Sequence, residues 1–126
     1  MEATITNHLT QLGLEDNKTF TIYIIQCKLN NIEWEVTRRY REFDQFNKQI
    51  QQTLPASTLQ TVAKFPPKIV VGNMKLTKIQ QRMALLQEWI SSIIASKEVF
   101  QMSSFHEFFD IKLHVPLILN DDHKDI

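Results

Sequence analysis

The sequence predicts an α+β domain in which a small antiparallel sheet packs against helices. Two periodicities and their order carry that prediction. Apolar and polar residues alternate between residues 32 and 37, whereas after residue 40 the apolar positions recur at three- and four-residue steps. Strands first and helices after is the arrangement of a segregated α+β fold. At 126 residues the chain is long enough for one domain with a real core and short for two.

Taken in order, residues 1–17 are polar and weakly patterned, and are expected to form a tail or loose lead-in. From Lys18 the stretch TFTIYIIQCK is rich in β-branched and aromatic residues, which favours a strand with a buried face. Leu29, Asn30 and Asn31 supply a turn, because asparagine tolerates left-handed backbone angles. Ile32, Trp34 and Val36 then alternate with Glu33, Glu35 and Thr37, the pattern of a second hairpin strand. Phe43, Phe46, Ile50 and Leu54 define a helix that Pro55 closes. Residues 56–74 lack a helical period and contain Pro66, Pro67 and Gly72, so they read as a long loop. Thr77 with Gln80 predicts a capping box at the start of a second long helix, whose stripe is Ile79, Met83, Leu86, Ile90, Ile93 and Ile94, widened by Leu85 and Trp89. Ser104 with Glu107 repeats that signal for a short helix bearing Phe105, Phe108 and Phe109. Beyond residue 111 the chain turns polar and acidic, so residues 112–126 are expected to be a tail or linker.

Composition narrows the function. Two glycines in the whole chain leave little room for a glycine-rich phosphate loop. The single cysteine, Cys27, can form no internal disulfide and reads as a small core residue. The histidines are scattered without metal-ligand spacing, so neither a metal, a cofactor nor a catalytic group is expected. No stretch approaches the roughly 18 apolar residues of a membrane span, and the N-terminus lacks a signal peptide's pattern, which leads to the expectation of a cytoplasmic domain.

The net charge of zero conceals an asymmetry. Residues 28–82 hold ten basic and four acidic side chains, and residues 45–87 hold six cations and no acid. Such a dipolar chain steers an anionic partner toward one face. Arg38, Arg39 and Arg41 lie where a strand hands over to a helix, Lys64 and Lys68 flank the semi-rigid FPP, and Lys78 and Arg82 lie in the first turns of the second long helix. Cations there oppose the helix dipole, whereas an anion suits it. Three segments thus offer cations near junctions, consistent with one pocket for a phosphorylated head group.

The ordered set RRYREF at 38–43, FPPK at 65–68, VVGN at 70–73 and QQRMALLQEWI at 80–90 resembles the phox-homology (PX) domain family, over about residues 20–111. The resemblance implies a three-stranded antiparallel sheet against three to four helices, with a proline-containing loop between the first two long helices and domain limits of 18–111. It also implies a phosphoinositide-binding module that is not an enzyme. Arg39 would hold the 3-phosphate of phosphatidylinositol 3-phosphate, Tyr40 would pack against the inositol ring, Lys68 would meet the 1-phosphate, and Arg82 would bind the 4- and 5-hydroxyls. Val70, Val71 and Met74 would dip into the bilayer interface, with Lys64, Lys75 and Lys78 as electrostatic support on an anionic, early endosomal surface. The chemistry agrees, since an arginine fork binds phosphate through two parallel charge-assisted bonds. Arg38 and Arg41 read as surface residues, and the Tyr40 hydroxyl as solvated. A protein-interaction scaffold on the same fold is the alternative. Nucleic-acid binding is disfavoured, because the cations gather at junctions rather than in a stripe interleaved with aromatics.

Overall fold

Asn30 and Asn31 both take left-handed angles, with φ of 52° and 66°, and fold the chain into a tight hairpin that sets Leu29 opposite Ile32. This and the rest of the fold are seen in a computed structural model, described for residues 1–69, 72 and 74–116. The strands β1 (Glu2–Leu12), β2 (Thr19–Leu29) and β3 (Ile32–Arg39) form one antiparallel sheet in the order β1-β2-β3. Helices α1 (Tyr40–Thr53), α2 (Ala56–Leu59), α3 (Leu76–Ile94), α4 (Lys97–Phe100), α5 (Ser103–Phe108) and α6 (Ile111–His114) follow. Only α1 and α3 are long, and the proline loop runs between them, interrupted by the single turn of α2.

The N-terminal segment is a strand rather than a tail. Ala3 and Ile5 are buried opposite Cys27 and Ile25, and a bulge at Thr6 shifts the register, so that Asn7 pairs with Ile24. One extra residue reverses which side chains face the core, and the alternation that marks a strand in sequence is lost across it. The carboxamide of Gln87 on α3 closes the outer edge of this half of β1. Its Oε1 accepts from Ile5 N–H at 2.7 Å and its Nε2 donates to Ala3 C=O at 3.1 Å. Replacing Gln87 by alanine leaves both groups without that partner and is expected to cost about 1–2 kcal/mol. Urea unfolding checks this, and an unchanged midpoint would show the clamp to be dispensable.

The inner face of the sheet presents Tyr23, Ile25, Cys27, Trp34 and Val36 to Phe43, Phe46 and Ile50 of α1, to Leu86, Trp89, Ile90 and Ile93 of α3, and to Phe105, Phe108 and Phe109. Trp89 sits at the centre, with the rings of Phe46, Phe65 and Phe43 at 5.7, 5.1 and 6.3 Å in edge-to-face contact. Burial pushes the Cys27 thiol up to about 12, so it stays protonated and unreactive, as a core residue should. Leu85, assigned to the α3 stripe, is exposed instead.

Neither capping box forms. Gly72, at φ 74°, accepts from Lys75 N–H at 3.1 Å, which starts α3 with Lys75 as its cap, upstream of Thr77. Likewise α5 is capped at Met102, not Ser104. A side-chain cap does form at Ser96, whose Oγ accepts from Val99 N–H at 3.2 Å. At the C-terminus α6 extends the fold past residue 111, and His114 stacks on Trp34 at 5.6 Å. Residues 117–126 lie outside the described residues.

Candidate functional site

The site is built where β3 becomes α1. Arg39 is the last residue of β3 and caps the helix with extended angles, and Tyr40 is the first helical residue. The Glu42 carboxylate accepts the Arg39 N–H at 2.8 Å, which fixes the junction and engages the acid that lies closest in sequence. Successive side chains of a strand point to opposite faces, so Arg38 and Arg39 part company there.

Arg39 turns to a cavity of about 250 Å³ lined also by Tyr40, Arg41, Lys68, Ile69, Met74, Arg82, Phe20 and Thr21. All four residues expected to hold a head group, Arg39, Tyr40, Lys68 and Arg82, therefore share one cavity. Phe65 anchors the lysine-bearing loop by packing on Trp89 and on Tyr40, at 5.1 and 5.5 Å. Tyr40 adds a hydrogen bond, its hydroxyl donating to Pro66 C=O at 2.7 Å. That hydroxyl is thus engaged, not solvated as the sequence reading had it. Burial first, and then Asp44, push the Tyr40 phenol above its ordinary range, with Arg82 opposing them.

Two of the three arginines that line the cavity rest on aromatic rings. The Arg39 guanidinium lies 3.8 Å from the centre of the Phe20 ring, and that of Arg82 lies 3.9 Å from the centre of Tyr40. Behind Arg82, the Tyr23 hydroxyl is buried without a hydrogen-bond partner among the described residues, as is Arg82 Nε. Burial raises the Tyr23 phenol while the nearby Arg82 charge lowers it, the burial effect being larger.

Other expectations divide. Lys64, Lys75 and Lys78 are exposed and do not line the cavity. Met74 is half-buried against Thr21, whose hydroxyl reaches its sulfur at 3.8 Å, so it forms a pocket wall rather than a free apolar tip. Val70 and Val71 lie outside the described residues. Arg41, read as a plain surface residue, is exposed but borders this cavity and the neighbouring one under the β1–β2 turn.

Arg38, by contrast, is no surface residue. Its Nε donates to Phe108 C=O at 2.9 Å, its Nη2 pairs with Asp110 at 3.1 Å, and the guanidinium lies 5.5 Å from the centre of the Phe108 ring. Trp34 is equally committed, donating Nε1–H to Phe109 C=O at 2.8 Å from a buried position. The alternation of Ile32, Trp34 and Val36, carried one step further, would have placed Arg38 inward.

A family model of the PX domain matches residues 28–112. This chain belongs to the PX domain family. The PX domain is generally a phosphoinositide-binding, membrane-targeting module, and it is not catalytic. Among curated relatives, this PX domain is 32% identical over 98 residues to the serine/threonine-protein kinase Sgk3 of Rattus norvegicus, covering 77% of this chain and 19% of the kinase. It is 27% identical over 96 residues to sorting nexin-16 of Rattus norvegicus, covering 75% of this chain and 27% of that protein. Among solved structures, a designed CISK-PX domain superposes with a TM-score of 0.73 at 22% identity, covering 86% of this chain and 98% of that one. The mouse SNX19 PX domain with bound sulphate ion gives 0.70 at 21% identity, covering 88% and 96%. No helix among the described residues is long and apolar enough to cross a membrane.

Proposed function

We propose that this PX domain directs its parent protein to endosomal membranes by capturing phosphatidylinositol 3-phosphate, and that its domain limits extend to the N-terminal strand. One observation carries the reading: Arg39, Tyr40, Lys68 and Arg82, drawn from three separate segments, converge on a single cavity. Arg39 supplies a planar fork for the 3-phosphate, Lys68 a point charge at the mouth for the 1-phosphate, and Arg82 donors for the ring hydroxyls. Val70 and Val71 enter the bilayer interface beside Lys68. Lys64, Lys75 and Lys78, exposed in this region of the chain, each add about 1 kcal/mol of attraction to an anionic leaflet.

Liposome flotation across the set of phosphoinositides at near-physiological salt tests this. Selective flotation with phosphatidylinositol 3-phosphate, weakened by Val71→Asp and by Lys68→Ala, is the expected result. Flotation with any anionic liposome, insensitive to Lys68, would replace head-group capture by diffuse charge attraction.

A further inference from the structure

Phe20 has one ring face on the guanidinium of Arg39, and the geometry of β2 explains how it comes to be there. In the sheet Arg39 stands directly opposite Ile22, on the face turned away from the core. Side chains two residues apart along a strand share a face, so Phe20 belongs beside Ile22 on that side. Its own cross-strand place on β3 would fall at residue 41, but the chain has already become helical at Tyr40. With no β3 residue opposite, the ring fills the vacated place and lies diagonally under Arg39, 3.8 Å from guanidinium carbon to ring centre. The β1–β2 turn closes in at the ring's edge, since a Cβ built on Gly13 would come within 3.8 Å of Phe20 Cε1. Phe20 borders the cavity, yet it has no charge or hydrogen-bonding group to offer an anion.

We propose that Phe20 is a positioning residue for Arg39: its ring face holds the guanidinium in the cavity before a ligand arrives. This rests on the reading of the cavity as a head-group site. The consequence is specific. An arginine side chain loses much rotamer freedom when it binds a phosphate, and a preset guanidinium has less left to lose. A ring beneath it satisfies the flat face while leaving the in-plane N–H groups free for the phosphate oxygens.

The test compares wild type, Phe20→Leu and Phe20→Tyr. Calorimetric titration with soluble inositol 1,3-bisphosphate measures the site without a bilayer. In the free protein, the Arg39 Nε–Hε proton resonance reports the ring above or below it through its ring-current shift. Phe20→Leu keeps apolar bulk and removes the π face. It is expected to weaken binding about 3- to 30-fold, move the Arg39 resonance downfield, and leave the melting temperature near that of wild type. Phe20→Tyr is expected to restore affinity and resonance together. Equal affinity for Phe20→Leu and wild type would overturn the proposal. So would a loss seen with vesicles but not with the soluble head group, which would make Phe20 a bilayer contact. If the wild type binds no inositol phosphate, the reading of the cavity falls instead, and an Arg39 resonance unmoved by Phe20→Leu then overturns the platform on its own.

Discussion

Arg39→Ala is expected to weaken binding to vesicles containing phosphatidylinositol 3-phosphate by about 30- to 1,000-fold, the equivalent of about 2–4 kcal/mol. Two effects add. The substitution removes a two-pronged, charge-assisted contact, and it leaves the phosphate inside a cavity of fixed shape without a partner. Arg39→Lys should recover only part of the loss, because an ammonium reproduces the charge but not the fork, nor the flat stacking on Phe20. Thermal unfolding should barely change, since the Arg39 guanidinium makes no hydrogen bond or ion pair with the protein among the described residues. Surface plasmon resonance on supported bilayers measures this directly, and an affinity unaffected by Arg39→Ala would remove the arginine from the site.

Its neighbour should behave in the opposite way. Arg38→Ala is expected to destabilise the domain by about 2–3 kcal/mol and lower its melting temperature by about 10 °C. The side chain is 16% exposed and reaches Phe108 C=O at 2.9 Å, Glu107 C=O at 3.4 Å and Asp110 at 3.1 Å. These are the last carbonyls of α5 and the residue that turns the chain into α6 with a left-handed φ of 52°. Cutting away the guanidinium strips a charged partner from Asp110 and a donor from two helix-end carbonyls at once. At temperatures where the variant is folded, head-group affinity should match wild type. Differential scanning calorimetry paired with the vesicle assay separates the two arginines. Equal melting temperatures for Arg38→Ala and wild type would show that the C-terminal helices are held without the Arg38 contacts.

The contrast between residues 38 and 39 illustrates what was legible in the chain. The ordered strings RRY, PPK and the helix arginine pointed to the cavity through their resemblance to the PX family, and the cations gathered near segment junctions pointed the same way. The long helices were legible from their apolar steps, and the hairpin from Asn30 and Asn31. What escaped did so for physical reasons. The bulge at Thr6 broke the alternation of β1 and disguised a strand as a tail. Helix starts were misplaced by the residues just upstream, since Gly72 and Lys75 open the turn before Thr77 can cap it. Phe20 was legible as a strand residue but not as part of the site, because its place under Arg39 depends on where β3 stops. That is a property of the register, not of any local string.

Met74 was misread for a related reason. Four apolar residues in a loop suggest a surface that seeks lipid, but sequence does not say which of them folds back. Here the Thr21 hydroxyl and the cavity draw Met74 in.

The contact of Phe65 with Trp89 joins the lysine-bearing loop to the centre of the core. Nothing in that contact touches an anion, yet it anchors the loop that carries Lys68. Ligand occupancy and folding are therefore linked by mass action: whatever favours the closed core raises the fraction of molecules able to bind, and bound head group in return protects the fold. A substitution that merely loosens Trp89 would read in cells as a failure of membrane recruitment, although every cation of the site remained in the sequence.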